Sequence, residues 1–369
     1  MTTIGETTAP STHTIYYDSL LSTTLMAYRK QLVDNIFKDS AFLAYLRMTD
    51  AVKKQNGGER IAIPLMYGTN ETVKTHGGYS VLDTTPQDGI TTAFYEWAEV
   101  AGTISISRKE ERQNAGEGKL ISLLESKIKQ AEMSMREKLN GDLLLGTVSG
   151  ATFIPDTADD GSYGLLPLGY FCRKTKSTDP TTASVGNISS SSYAWWRTVT
   201  ADIGATGGWT SDDFSLNVTT YAGLKVALRR LYNYLSRGSG GSPDLFVADQ
   251  VTFETYENAL DTQVRYQNTK MADMGFDTVK VRGATMIWDE KVPDIHNGTA
   301  AVSVGTVFGL NTNFYNLVID SETDIITTPF VEPENQTAKT AKILFMGNAT
   351  CSNMRKIGVA GEVLQTIVA

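Results

Sequence analysis

The chain has 369 residues, 41% of them hydrophobic and 20% charged, so it carries enough apolar mass for two or three subdomains and is not a disordered tract. Its net charge of −8, with no basic tail, excludes a protein whose main task is gripping nucleic acid, which requires clustered Lys and Arg. Cys172 and Cys351 lie far apart, which signals no disulfide framework and favours a reducing compartment; residues 1–14 lack the regions of a secretion signal, and no run is apolar for long enough to span a bilayer.

Residues 1–17 are rich in Thr and Ser and read as a loosely held arm. Leu21, Leu25, Tyr28 and Leu32 recur at helical spacing over Leu20–Asp34, and a second helix, Ala41–Arg47, follows the N-cap candidate Ser40. From Ala51 the pattern changes. Asn56-Gly57-Gly58 marks a turn, Glu59–Tyr67 reads as a strand, Gly68–Gly89 is polar and rich in Gly and Thr, and Ile90–Ser107 reads as a second strand. Two long strands joined by a polar tip predict an extended β-hairpin with few apolar residues of its own to bury. An isolated ribbon of this kind is marginal in water, so it is expected to lie on another surface, that of a second copy.

Arg108-Lys109-Glu110-Glu111-Arg112 then reads as a solvated helix start or turn. Over Gly116–Gly141, Leu120, Leu124, Ile128, Ala131, Met135 and Leu139 form one apolar stripe. Glu125–Lys129 and Glu132–Arg136 are acid-first pairs at i,i+4, and Asn140-Gly141 reads as a C-cap. Residues 155–215 form a long Gly/Ser/Thr/Asp connection carrying Leu165–Phe171 and the pair Trp195-Trp196, read as a loop anchor or, less favoured, a ligand platform. Thr220–Arg237 is amphipathic through Leu224, Ala227, Leu228, Leu231 and Leu235, and Gly238–Gly241 ends it. Beyond it, Pro243–Asp249 reads as a short buried strand and Gln250–Leu260 as a helix with Val251, Tyr256 and Leu260 inward. Residues 279–289, 302–310, 314–319 and 341–347 read as strands, giving an α+β pattern without a βαβ repeat.

The search for chemistry is negative. His13, His76 and His296 are scattered and no zinc or calcium pattern occurs. Gly118-Lys119 lacks the first Gly and the Ser/Thr of a phosphate loop, and no G-x-S-x-G elbow is present. Asp159-Asp160 and Asp212-Asp213 read as solvated turns or caps. The expectation is no enzyme, no catalytic residue, no metal and no cofactor.

The order of parts, arm, two-stranded loop, long helix, mixed α+β region and closing strand, resembles the major capsid proteins of tailed bacteriophages with the Hong Kong phage type of shell fold. Local stretches carry the same likeness: Gly347-Asn348 with Asn353-Met354-Arg355 and Gly358 and Gly361, Pro243–Val247, Gly283–Asp289, and Gly309–Thr312 before Phe314–Leu317. The resemblance covers nearly the whole chain. It implies an N-terminal arm and short helices (1–50), an extended loop (51–107), a spine helix and peripheral domain with a long connection (108–209), an axial domain (210–340) and terminal strands returning to the peripheral domain (341–369). It implies self-assembly through hexamers and pentamers into an icosahedral shell, portal and scaffolding partners, packaged DNA facing the wall without sequence-specific binding, no membrane, and a virion location after assembly in the host cytoplasm. The inter-subunit residues it singles out are Lys74, His76 and Tyr79 at the loop tip and Arg108, Lys109, Glu110, Glu111 and Arg112 beyond it. Some relatives join a loop Lys to an Asn of a neighbour; Lys74, Asn348 and Asn353 are the matching types here, with no crosslink the favoured expectation. An encapsulin-like compartment is the alternative within the fold. From another class, the alternative is a carbohydrate-binding protein or hydrolase using Trp195-Trp196.

Overall fold

A computed structural model describes residues 40–113, 123–149, 152–157, 161, 163–172, 184–204, 213–216, 218, 220–260, 278–292, 304–333 and 337–364. The expected helix at 20–34, Leu120, His13, His296 and the Asp159-Asp160 pair lie outside them. In chain order the elements are α1 (Ala41–Met48), β1 (Val52–Gln55), β2 (Ile61–Met66), β3 (Ile90–Tyr95), β4 (Ala98–Ser107), α2 (Arg108–Gln113), α3 (Leu123–Leu144), β5 (Thr147–Ser149), β6 (Thr152–Ile154) and α4 (Leu168–Phe171). They continue with β7 (Val199–Asp202), β8 (Phe214–Ser215), α5 (Tyr221–Leu235), β9 (Leu245–Ala248), α6 (Gln250–Ala259), β10 (Val279–Val281), β11 (Ala284–Trp288) and β12 (Val304–Leu310). The last are β13 (Tyr315–Asp320), β14 (Ile326–Thr327), β15 (Ala338–Cys351) and β16 (Gly358–Leu364).

Two compact units emerge. The described part of the smaller comprises residues 102–113, 123–134, 327–333 and 337–343. In it β4 pairs with β15, and Arg108 N–H donates to Thr337 O at 3.0 Å. The larger unit is built on a seven-stranded sheet of order β10-β11-β9-β12-β16-β7-β8. Helices α5 and α6 lie on one face of it. Thr220 caps α5 by accepting from Gly223 N–H, and Asp249 caps α6 by accepting from Thr252 N–H. The α5 stripe of Leu224, Ala227, Leu228, Leu231 and Leu235 is buried against Phe246, Ala248, Met286, Val307 and Ala360. Each of these leucines contributes roughly 1.5–3 kcal/mol of burial. The alternating residues Leu245, Val247, Phe308 and Leu310 are buried as well, and Tyr45 Oη of α1 donates to Asp244 O at 3.0 Å. A smaller sheet sets β1 parallel and β15 antiparallel to β13.

Several expectations need correction. The second strand-like run is two strands: β3 ends at Tyr95, and β4 starts at Ala98 in a different sheet. The hairpin ladder is therefore only Ile61–Met66 against Ile90–Tyr95, and Ile90–Ser107 is not one strand. Residues 52–55 belong to the β1–β13 pair rather than to the loop. Helix α3 runs through the expected cap at Asn140-Gly141 to Leu144. The Asn140 side chain is recruited elsewhere: its Nδ2 donates to Asp289 at 3.0 Å and its Oδ1 accepts from Ser40 Oγ at 2.6 Å. Val251 is exposed, and Phe253 takes the inward place beside Tyr256. The connection 155–215 contains β7, an inner strand of the large sheet. The terminal strands also separate: β15 reaches β13 of the smaller sheet, whereas β16 lies between β12 and β7 of the larger one.

Candidate assembly surface

The hairpin root is fixed to its own chain. In the β2–β3 ladder Ile61, Leu65, Ala93 and Tyr95 face inward and are buried, whereas Met66, Ile90 and Phe94 face outward and are exposed. Tyr95 Oη donates to Cys351 O at 2.8 Å, and burial pushes its pKa well above the ordinary tyrosine value. Gly186 lies against Ala93 and Tyr95 in the left-handed region, φ 60°, where a side chain has no room: an added Cβ would stand 2.9 Å from Ala93 Cβ. The pair Trp195-Trp196 closes the same root. Trp196 is 1% exposed and donates from Nε1 to Val185 O, while Trp195 stacks on Tyr67 with centroids 4.8 Å apart. Both rings are thus engaged within the chain, which overturns the open ligand platform. The ribbon's supposed lack of support is also corrected: its inner face is covered by the segment 184–196, and only the part beyond Tyr67 projects.

At the neck Tyr67 N–H donates to Gly89 O at 2.9 Å, and a Cβ on Gly68 would stand 3.0 Å from Gly89 Cα, so glycine permits this close approach. The tip at 69–88 is held only by local bonds. Asn70 accepts from Thr72, Asp83 accepts from Thr85 and pairs with Lys74 at 3.2 Å, and His76 Nδ1 shares a 2.7 Å bond with Ser80 Oγ. The Thr85 hydroxyl and N–H, followed by Lys74, hold the Asp83 carboxyl below its usual value. The structure therefore brings Lys74, His76 and Tyr79 into one tip. Its apolar side chains have nothing to cover them: Val73 is 81% exposed, Val81 97% and Leu82 66%, and Tyr79 is exposed in full. The sequence points to Tyr79 but not to Val73, Val81, Leu82 or Ile90. The signal present there was the apolar pair Val81-Leu82 and the lone Val73 within a polar stretch.

The run Arg108–Arg112 lies apart from the tip in the chain's order and forms α2. Ser107 and Glu110 cap it reciprocally, Ser107 N–H donating to the carboxylate and Glu110 N–H to Ser107 Oγ, both at 3.2 Å. Glu110 also pairs with Lys127 at 3.1 Å. Desolvation raises its pKa, but Lys127 and the Ser107 bonds outweigh it and the net shift is downward. Glu110 is thus used within its own chain. Arg108, Lys109 and Arg112 are exposed, and Glu111 lies in the same helix.

Near the root, a recess of about 430 Å³ is lined by Trp97, Glu99, Lys138, Asp142, Asp156 and Tyr163. Lys138 bridges Asp142 at 2.8 Å and Asp156 at 2.6 Å. Burial raises the Asp142 pKa; burial acts the opposite way on Lys138, yet its two carboxylate bonds leave its pKa raised. Lys138 and the two carboxylates thus satisfy one another as an ion-pair cluster. The crosslink residues are not free either: Lys74 pairs with Asp83, buried Asn348 accepts from Leu166 N–H and donates to Glu96 O, and Asn353 accepts from Arg355 N–H. Among the described residues no group of three or more His, Cys, Asp or Glu is placed to hold a metal ion, and no helix is long and apolar enough to cross a membrane.

No family model matches the sequence, and no curated protein matches it either. Solved structures do match along its length. The capsid asymmetric unit of Cyanophage A-1(L) aligns over 90% of this chain and 95% of that one, with 16% identity and a TM-score of 0.63. The capsid of the Myoviridae phage XM1 aligns over 97% and 100%, with 11% identity and a TM-score of 0.52. The holo-SrpI encapsulin complex from Synechococcus elongatus aligns over 94% and 96%, with 9% identity and a TM-score of 0.52. With its hairpin, long helix and two sheets in the order set out above, the chain has the fold of tailed-phage capsid proteins.

Proposed function

We propose that the chain is a major capsid protein: many copies self-assemble, as hexamers and pentamers, into the icosahedral head that encloses the double-stranded DNA of a tailed bacteriophage. Its work is structural, carried out by interfaces rather than by a reaction, and its place is the virion, reached after assembly in the host cytoplasm with portal and scaffolding partners. The observation that carries this reading is the hairpin, anchored at its root and leaving Val73, Tyr79, Val81 and Leu82 largely exposed at its tip. Exposed apolar clusters of this kind mark association sites. A second copy is the fitting occupant, because it buries the tip while a closed shell repeats the contact around every axis. The exposed charges of α2, Arg108, Lys109 and Arg112, then set register across the contact; individually such surface pairs are worth only ~0–1 kcal/mol. The resemblance to an encapsulin favours a second reading, a compartment around protein cargo.

Negative-stain imaging of the expressed chain, alone and with its phage's scaffolding protein, tests the proposal. Closed isometric particles are expected. A homogeneous monomer in both preparations at high concentration would refute it. Shells purified from the native source that hold a protein cargo and no DNA would favour the compartment.

A further inference from the structure

Arg197, Arg237 and Arg355 are distant in sequence, yet they line one open cleft of about 360 Å³ together with Ala194, Thr198, Val199, Asp213, Tyr234 and Gly238. Three guanidinium groups and a single carboxylate leave the cleft with an excess of positive charge on a chain whose net charge is −8. Each arginine is positioned differently. Arg197 donates from Nε to Ser190 O at 2.7 Å and from Nη2 to Ser191 O at 2.9 Å, which fixes its plane. Arg237 lies over the Tyr234 ring, 3.7 Å from its centroid, so stacking pre-orders its guanidinium while its edge donors take no partner among the described residues. The Arg355 side chain is exposed and makes no hydrogen bond or ion pair among the described residues; its backbone is held by Asn353, whose Oδ1 accepts from Arg355 N–H. Asp213 is tied to the sheet, accepting from Thr200 N–H at 3.1 Å. The neighbouring Lys356 faces away, its ammonium donating to the carbonyls of Leu235, Arg237 and Gly241.

We infer that this cleft is an oxyanion site that takes a phosphate group. Arginine's planar fork matches phosphate oxygens in pairs, and lysine is absent from the cleft lining. Like charges gathered in one recess repel unless an anion sits among them, and among the described residues the only acid in the lining is Asp213. The Tyr234 ring is taken up by Arg237, 3.7 Å from its centroid, and also meets Phe214 in a tilted contact with centroids 5.1 Å apart, so it is engaged within the chain rather than offered as a platform for a base. The cleft therefore recognises the phosphate and not the group attached to it. Free phosphate and a nucleic-acid phosphodiester present this same chemistry.

The full-length chain should be titrated calorimetrically at low ionic strength with inorganic phosphate and, separately, with a short single-stranded thymidine oligonucleotide. Saturable binding of at least one is expected. Arg355→Gln and Arg237→Gln should each weaken it about tenfold or more, as loss of a charge-assisted bond predicts. Arg229→Gln, on the exposed face of α5 and outside the cleft, should leave it unchanged. Binding of phosphate alone identifies a small-ion site, and tighter oligonucleotide binding with the same variant pattern identifies a nucleic-acid contact; either supports the inference. Absence of saturable binding to both, or binding that survives in the cleft variants while their circular dichroism is native, overturns it. These titrations read the unassembled chain, so their outcome is independent of whether shells form.

Discussion

Replacing Gly186 by alanine tests how the hairpin is aimed. Gly186 sits at φ 60°, a conformation that costs an L-residue roughly 1–2 kcal/mol. The new methyl would stand 2.9 Å from Ala93 Cβ and 3.1 Å from Tyr95 Oη, well inside the ~3.5–4.0 Å of an unstrained contact. Neither neighbour can retreat cheaply: Ala93 is in the ladder, and Tyr95 Oη is bonded to Cys351 O. Overpacking of this sort costs about 1–3 kcal/mol, so the total expected is ~2–5 kcal/mol. The assay is urea unfolding of the unassembled chain followed by tryptophan emission, since Trp195 and Trp196 flank the root. A matched control is Gly78→Ala in the tip, where an added Cβ meets nothing within 4 Å and φ is unremarkable; it should change the midpoint negligibly. The reasoning is refuted if Gly186→Ala unfolds at the same urea concentration as the parent, or if both variants lose equally.

Two further perturbations probe the frame. Lys356 is 1% exposed and its ammonium donates to three carbonyls around the end of α5; burial draws its pKa down. Lys356→Met keeps the stem and strands those carbonyls, so a loss of about 2–5 kcal/mol is expected in thermal or urea unfolding, and a neutral result would contradict the assignment. Asp289 is buried against Ser40 and Asn140, and desolvation raises its carboxyl pKa despite the bonds it accepts. An acid whose native pKa exceeds its unfolded value of about 3.9 binds protons more readily when folded, so its contribution to stability declines as pH rises from about 3.9 through the native value. Asp289→Asn should remove that decline; unchanged pH dependence would refute it. Asp320 has the opposite sign, because Gly57 N–H and Thr323 hold its pKa down: its contribution is present above about pH 3.9 and fades as pH falls through the lowered native value.

The parts legible in the sequence were those whose physics is local. Helix α5 declares itself through Leu224, Leu228, Leu231 and Leu235, and α1 through the Ser40 cap. The hairpin declares itself through its polar tip. What was illegible depends on distant partners. Alternation runs straight through Glu96-Trp97, so nothing in the residues shows that β4 leaves β3; the departure is decided by pairing with β15, more than two hundred residues away. Asn140-Gly141 has the chemistry of a helix end, but Ser40 and Asp289 claim the Asn side chain and the helix continues. Strand β7 hid in a Ser/Thr-rich stretch because its small residues are buried on both faces. The tip residues were visible only in part, since Val73, Tyr79, Val81 and Leu82 are scattered through a polar loop without a period. Arg197, Arg237 and Arg355 meet through folding alone.

The central claim, that the projecting tip works by entering a second copy, is tested most directly by cutting it back. Residues 68–88 can be replaced by an Asn-Gly turn joining Tyr67 to Gly89, a two-residue connection suited to the ladder that remains. Sedimentation velocity of this variant beside the parent, each under conditions in which the parent forms shells, gives the answer. The account predicts large particles for the parent, and for the shortened chain a slow species with native circular dichroism. Shells of ordinary size from the shortened chain would contradict it.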